Sequence, residues 1–241
     1  MTRAELKQQA KDTLRGRWGK AIGLFLVYEL LIGAIGAVCN FIYGIGPIVL
    51  AIISVPLAFG YIGVFINYTR NEKADYLDFF SIGFDNFVKS WSIAGNIILK
   101  LIGYYLALFV CIFSFVGITI AGINAENVEM LVGGMIIAGI IYFVLLIIIT
   151  VQSFYYVLAN YIGNDNKELT GKEIVEKSKE IMKGHRMDYF VLQLSFLGWS
   201  ILSVLSCGIG FIWLAPYMQV TYIKFYEDLI NMNNGNENVI E

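Results

Sequence analysis

Between Lys20 and Arg70 the only charged residue is Glu29. Its type and its place point most directly to chemistry. At 1.5 Å per residue it lies about 12 Å inside a helix that starts near Ala21. An ionised carboxylate at such a depth in hydrocarbon costs roughly 2.5–3.5 kcal/mol. The side chain is therefore expected to face a bundle interior, and Tyr61 and Gln152 fall at similar depths on other apolar runs. Glu29, Gln152 and Tyr61 form a candidate intramembrane polar site. Reversible proton or cation binding is the chemistry open to it; a purely structural interhelical hydrogen bond is the competing reading.

Other reactive residues are scarce. His185, the one histidine, stands between Lys183-Gly184 and Arg186. Alone it builds neither a metal site nor a triad and reads as a solvated interfacial residue. Cys39, Cys111 and Cys207 lie in or beside apolar segments, and an odd set without loop positions makes neither a disulfide framework nor a zinc site. They are expected to be buried as small hydrophobes. Gly44-Ile-Gly46 and Gly208-Ile-Gly210 follow no strand and lack a third glycine, so they are turns rather than dinucleotide fingerprints. The sequence offers no carboxylate pair for a common pocket, no Ser-His-Asp set and no phosphate-binding loop. The expectation is no enzyme, no catalytic residue, no metal and no cofactor.

The elements that position Glu29 are membrane helices. Apolar residues make up 58% of the chain and charged residues 15%, against about 45–50% and about 25% in soluble domains. Phe41–Thr69, Leu101–Asn124 and Met130–Asn164 are free of charge, and each exceeds the roughly 20 residues that cross a hydrocarbon core. The fold class expected is all-α, a polytopic membrane helical bundle of about six transmembrane helices. No cleavable signal peptide is evident, because the N-terminal arm is too long and too helical. Of 17 Lys and Arg, six fall in the N-terminal arm, four between Arg70 and Lys100, six between Lys167 and Arg186, and the last is Lys224. Connectors near Tyr43–Pro47, Asn124–Glu129 and Ser206–Gly210 hold none. Basic charge thus alternates between connectors, which places both termini in the cytoplasm.

A recurrence divides the chain. Thr2, Glu5, Lys11 and Gly16 return 168 positions later as Thr170, Glu173, Lys179 and Gly184. Leu6 matches Ile174, Ala10 matches Ser178 and Leu14 matches Met182 in class. Each copy opens with a capping box, Thr-x-x-Glu, and continues as a basic amphipathic helix. Such a helix is expected to lie along headgroups, with Lys7, Lys11 and Arg15, or Lys179, Lys183 and Arg186, on anionic lipid rather than nucleic acid. Three repeat units follow, 1–69, 70–163 and 164–230, each an amphipathic helix plus a transmembrane hairpin within one membrane domain at 1–230. The middle unit matches only in layout: Leu77, Phe80, Phe84, Phe87 and Trp91 mark one helical face, which Gly83 weakens. Lys100 is expected to snorkel to the interface. Pro56 and Pro216 kink their helices, and the Asn-rich segment 231–241 reads as a disordered tail.

Phe196-Leu-Gly-Trp199, Gly208-Ile-Gly210, Trp213-Leu-Ala-Pro216-Tyr217, Thr221 and Phe225-Tyr226, with Arg3-Ala-Glu-Leu-Lys7 and Leu14-Arg-Gly-Arg-Trp-Gly-Lys20, resemble domain-of-unknown-function family 975. The resemblance implies a multi-pass protein of the bacterial plasma membrane, chiefly Gram-positive, and no activity; no catalytic residue carries over. The favoured reading is a non-enzymatic scaffold, assembly factor or stress-response protein of the envelope, with a membrane-protein partner or a second copy of itself. Alternatives are a small permease coupled through Glu29 and a membrane anchor or regulator of a lipid-processing enzyme.

Overall fold

The computed structural model describes residues 1–42, 44–124 and 128–240, with backbone alone at 130 and 235–240. All regular elements among them are helical: α1 (Arg3–Leu14), α2 (Trp18–Asn40), α3 (Gly46–Thr69), α4 (Asp78–Asp85), α5 (Phe87–Asn124), α6 (Val128–Ser153), a 3-10 turn (Phe154–Tyr156), α7 (Ala159–Asp165), α8 (Gly171–Ile181), α9 (Arg186–Leu194), α10 (Leu197–Leu205) and α11 (Phe211–Ile240). Among the described residues five helical stretches are long and apolar enough to cross a membrane: Trp18–Asn40, Gly46–Thr69, Phe87–Asn124, Leu131–Asp165 and Arg186–Leu205. The sixth expected crossing falls short. From Phe211 to Ile223 α11 offers 13 mostly apolar residues, about 20 Å of helix against a core of about 30 Å. It then turns polar, and it runs on as helix through 231–240, where composition predicts a disordered tail.

The first hairpin turns where glycine and proline predict. Gly44 has φ +80°, and Pro47 stands in the first turn of α3, where a missing N–H is harmless. In the third, Gly208 has φ +88° between α10 and α11. Cys207 shares that left-handed region at φ +55° and is exposed rather than buried. The expected turn between the third and fourth crossings lies at 125–127, outside the described residues.

Both capping boxes form. Thr2 N donates to Glu5 Oε2 at 2.8 Å, and Thr170 N donates to Glu173 Oε2 at 2.8 Å. The recurrence extends to backbone bonds that close these helices. Arg17 N donates to Leu14 O and His185 N donates to Met182 O, again 168 apart, beside Gly16 (φ +75°) and Gly184 (φ +95°). Only glycine takes that conformation without strain. Leu6, Ala10 and Leu14 are fully covered, as are Ile174, Ser178 and Met182. Their cover is protein, however, not lipid: α1 lies on α11, and α8 lies on α5, α7 and the 3-10 turn. The expected headgroup-lying helices are instead docked as a collar at the charged end of the bundle.

That end holds most of the core, including Phe65, Tyr68, Leu158, Ile162, Leu192, Phe196, Val220, Ile223 and Tyr226. Away from it the hairpins splay. α5 and α6 pack mainly on one another, and Leu106, Phe113 and Ile137 stand about 60% exposed along their length. Lys100 reaches the collar, where Glu176 of α8 pairs with it.

In the middle unit the buried face differs from the one the spacing marks. Phe79 and Gly83 face inward, whereas Leu77 and Phe84 are exposed. Phe80, Phe84 and Phe87 stack along the outside. Gly83 is a contact residue, since a Cβ there would strike the Pro56 carbonyl, and one on Gly60 would strike the Phe79 carbonyl. Pro56 has no N–H, so the carbonyl of Ile52 loses its intrahelical partner. Trp91 supplies a replacement, Nε1 donating to Ile52 O at 3.1 Å.

Trp91→Phe should therefore destabilise the fold by about 1–3 kcal/mol through an orphaned carbonyl. In a Pro56→Ala background, where residue 56 regains its N–H, the same change should cost much less. Equal costs in denaturant unfolding of both backgrounds would show that the bond is incidental.

Candidate functional site

Glu29 does not face the bundle interior. α2 turns Ala21 and Leu24 fully inward, and Tyr28 packs at a tilt against Tyr61 with ring centroids 4.4 Å apart and meets Phe79 edge-on at 5.5 Å. Tyr28 thus takes the inward register. Glu29, the next residue and about 100° round the helix, is exposed on the outer side. Tyr61 spends its ring on Tyr28 and Phe65. Gln152 belongs to α6, whose principal neighbours are α5 and the 3-10 turn. No hydrogen bond joins Glu29, Tyr61 and Gln152 among the described residues, so the expected polar trio is not assembled.

The six basic candidates divide. Lys7 turns inward: its Nζ donates to Ser195 O at 3.0 Å and lies 4.1 Å from the Phe196 ring centroid. It caps the break between α9 and α10, and burial, followed by the nearby Lys11 and Arg3, lowers its pKa. Arg186 stacks 4.1 Å over Tyr155. Lys11, Arg15, Lys179 and Lys183 are exposed and form no ion pair among the described residues. His185 faces Asp188, Nδ1 to Oδ2 3.2 Å, at the start of α9.

One polar cluster escaped the sequence reading. Arg70, just after α3, makes a two-pronged contact with Asp165 at the end of α7, at 2.7 and 2.8 Å. Tyr226 of α11 donates to Asp165 Oδ2 at 2.8 Å, and Glu227 lies 3.5 Å from Arg70 Nε while accepting from Lys224. Burial first, then the Asp165 carboxylate, raises the Tyr226 pKa, so the phenol keeps its proton and remains a donor. The cluster ties the ends of the second, fourth and last long helices together. Its members lie up to 157 positions apart (227 minus 70), so no local spacing marks them. A polar cavity of about 610 Å³ opens beside it between α3, α4 and α7, lined by Asn67, Arg70, Asp85, Asn164, Asp165 and Lys167 among others.

An amphipathic groove runs along α1 on the collar. Hollows of about 470 and 460 Å³ adjoin between α1, α10 and α11 and share Lys11, Trp18 and Tyr217. Among the described residues no group of three or more His, Cys, Asp or Glu is placed to hold a metal ion.

Membrane-length apolar helices, a helical collar and the absence of strands among the described residues define a polytopic helical membrane protein. The chain belongs to the family described as protein of unknown function, DUF975, whose model matches residues 1–233. No curated protein and no solved structure matches it.

Arg70→Leu should cost about 1–3 kcal/mol, as expected for losing charge-assisted bonds in a partly covered site. Asp165→Asn should cost less once Arg70 is gone. Additive losses in a double-mutant cycle would show that the pair carries no coupling.

Proposed function

We propose that the protein is a non-enzymatic component of the bacterial plasma membrane, a scaffold or assembly factor of the envelope. It meets anionic lipid at its collar and another membrane protein, or a second copy of itself, along α2. The observation that carries this reading is Glu29. It is the twelfth of 23 residues in α2, hence at mid-membrane, and it faces outward. Lipid offers a carboxylate nothing, so a residue so placed needs a protein partner. Gly33 and Ala37 continue the same exposed face, and the space beside Gly33 is open. Small residues at this spacing let a second helix approach closely.

A photo-crosslinking amino acid at Leu30, which is 73% exposed beside Glu29, should capture a discrete membrane protein or a dimer of the chain. Glu29→Leu should weaken that capture. Adducts to lipid alone would remove the partner reading.

The permease alternative draws on the same carboxylate. Glu29 lines neither the polar cavity beside Arg70 nor a second polar hollow lined by Arg15, Arg17, Thr69 and Lys224, which favours the scaffold. Unchanged ion flux in Glu29→Gln would count further against transport.

Met1 N pairs with Asp228 of α11 at 2.7 Å, so the short α11 still brings the chain back to the end where it began. With that end cytoplasmic, a cysteine placed at Asn124 should react only with reagent added from outside. Labelling from the cytoplasmic side would reverse the orientation.

A further inference from the structure

We propose that the groove between α1, α10 and α11 holds one anionic glycerophospholipid, its phosphate on Lys11 and Arg15 and an acyl chain along Trp199 and Trp213. The inference rests on the membrane reading above and names a site and a ligand class within it. The two hollows together match the size of small-molecule sites, which run from about 300 to 1,000 Å³. Their chemistry is graded along the groove. At the collar, Lys11 and Arg15 are exposed and unpaired. Asp12 lines the same end, but Gln8 Nε2 donates to both its oxygens, at 3.1 and 3.3 Å. The net charge offered there remains positive. In the middle stand Trp18 and Tyr217, ring centroids 6.4 Å apart, with Lys11 Nζ 6.0 Å from the Tyr217 centroid. Indole and phenol rings favour the glycerol level, where an apolar body meets a wet edge.

Toward the membrane the walls become Trp199, Leu202, Trp213 and Leu214. Trp199 is 63% and Trp213 53% exposed, so the groove opens sideways to hydrocarbon and an acyl chain can enter from the bilayer. Positive charge, aromatic belt and apolar wall follow one another in the order phosphate, glycerol and acyl chain. A soluble phosphate would use only the first of these, and an apolar helix only the last.

Tryptophan quenching by brominated lipid tests the site in full-length protein reconstituted in phosphatidylcholine vesicles. At equal mole fraction, brominated phosphatidylglycerol should quench at about tenfold higher relative affinity than brominated phosphatidylcholine. Lys11→Gln with Arg15→Gln, at two exposed positions that form no ion pair among the described residues, should bring that ratio near one. Lys179→Gln with Lys183→Gln removes equal charge from α8 and the turn after it and should leave that ratio intact. Equal quenching by both lipids in the unaltered protein, or equal loss in both double variants, would overturn the site. Reversal of quenching by soluble glycerol phosphate would overturn the lipid as occupant in favour of a free phosphate. Failure to co-float with vesicles would overturn the membrane reading itself, and the site with it; co-floating without lipid preference overturns the site alone.

Discussion

Hydrocarbon cannot hydrogen-bond, and this constraint sorts the molecule lengthwise. Backbone polarity within the long helices is absorbed by the helical ladder itself, while charged side chains gather where water is available. At that end the chain behaves as a soluble protein does. α1, α7 and α8 bury apolar faces against α11 and the base of α5, and Arg70, Asp165, Tyr226 and Glu227 bind the helix ends from outside. Beyond the collar there is little hydrophobic advantage in helix meeting helix, because lipid tails are as apolar as leucine. The α5–α6 hairpin accordingly stands apart, held by close contacts such as Gly134 against Ile118.

Exceptions to this sorting are informative because each has to be compensated. Pro56 breaks the ladder of α3, and Trp91 answers it from a neighbouring helix. The break between α9 and α10 frees the Ser195 carbonyl, and Lys7 answers that one from α1. Both donors lie on other elements, so each defect becomes a tie between units. Glu29 has no comparable answer among the described residues, and that difference leaves it free to meet a partner helix.

Much of the architecture is legible in order and spacing. The capping boxes at Thr2 and Thr170, the αL glycines Gly16 and Gly184 and the turn glycines Gly44 and Gly208 are local devices, fixed by a few neighbouring residues. The apolar face Leu6-Ala10-Leu14 is local too, but what covers it is not. An amphipathic helix beside a membrane suits lipid and protein equally, and only the arrival of α11 decides between them. Gly83 misleads for the same reason: helix propensity is intrinsic, whereas the room a missing Cβ makes for the Pro56 carbonyl depends on α3.

By itself the sequence determined the helical membrane class, the capped and glycine-terminated collar helices and the turns at Gly44 and Gly208, because charge runs, caps and left-handed glycines act within one turn of chain. Tertiary structure alone decided which way Glu29 faces, that Lys7 serves Ser195 rather than a headgroup, and that Arg70 meets Asp165. Rotation of a helix about its axis is set by which neighbour fits best. In α2 the packing of Tyr28 against Tyr61 and edge-on to Phe79 won that contest and left the carboxylate outside.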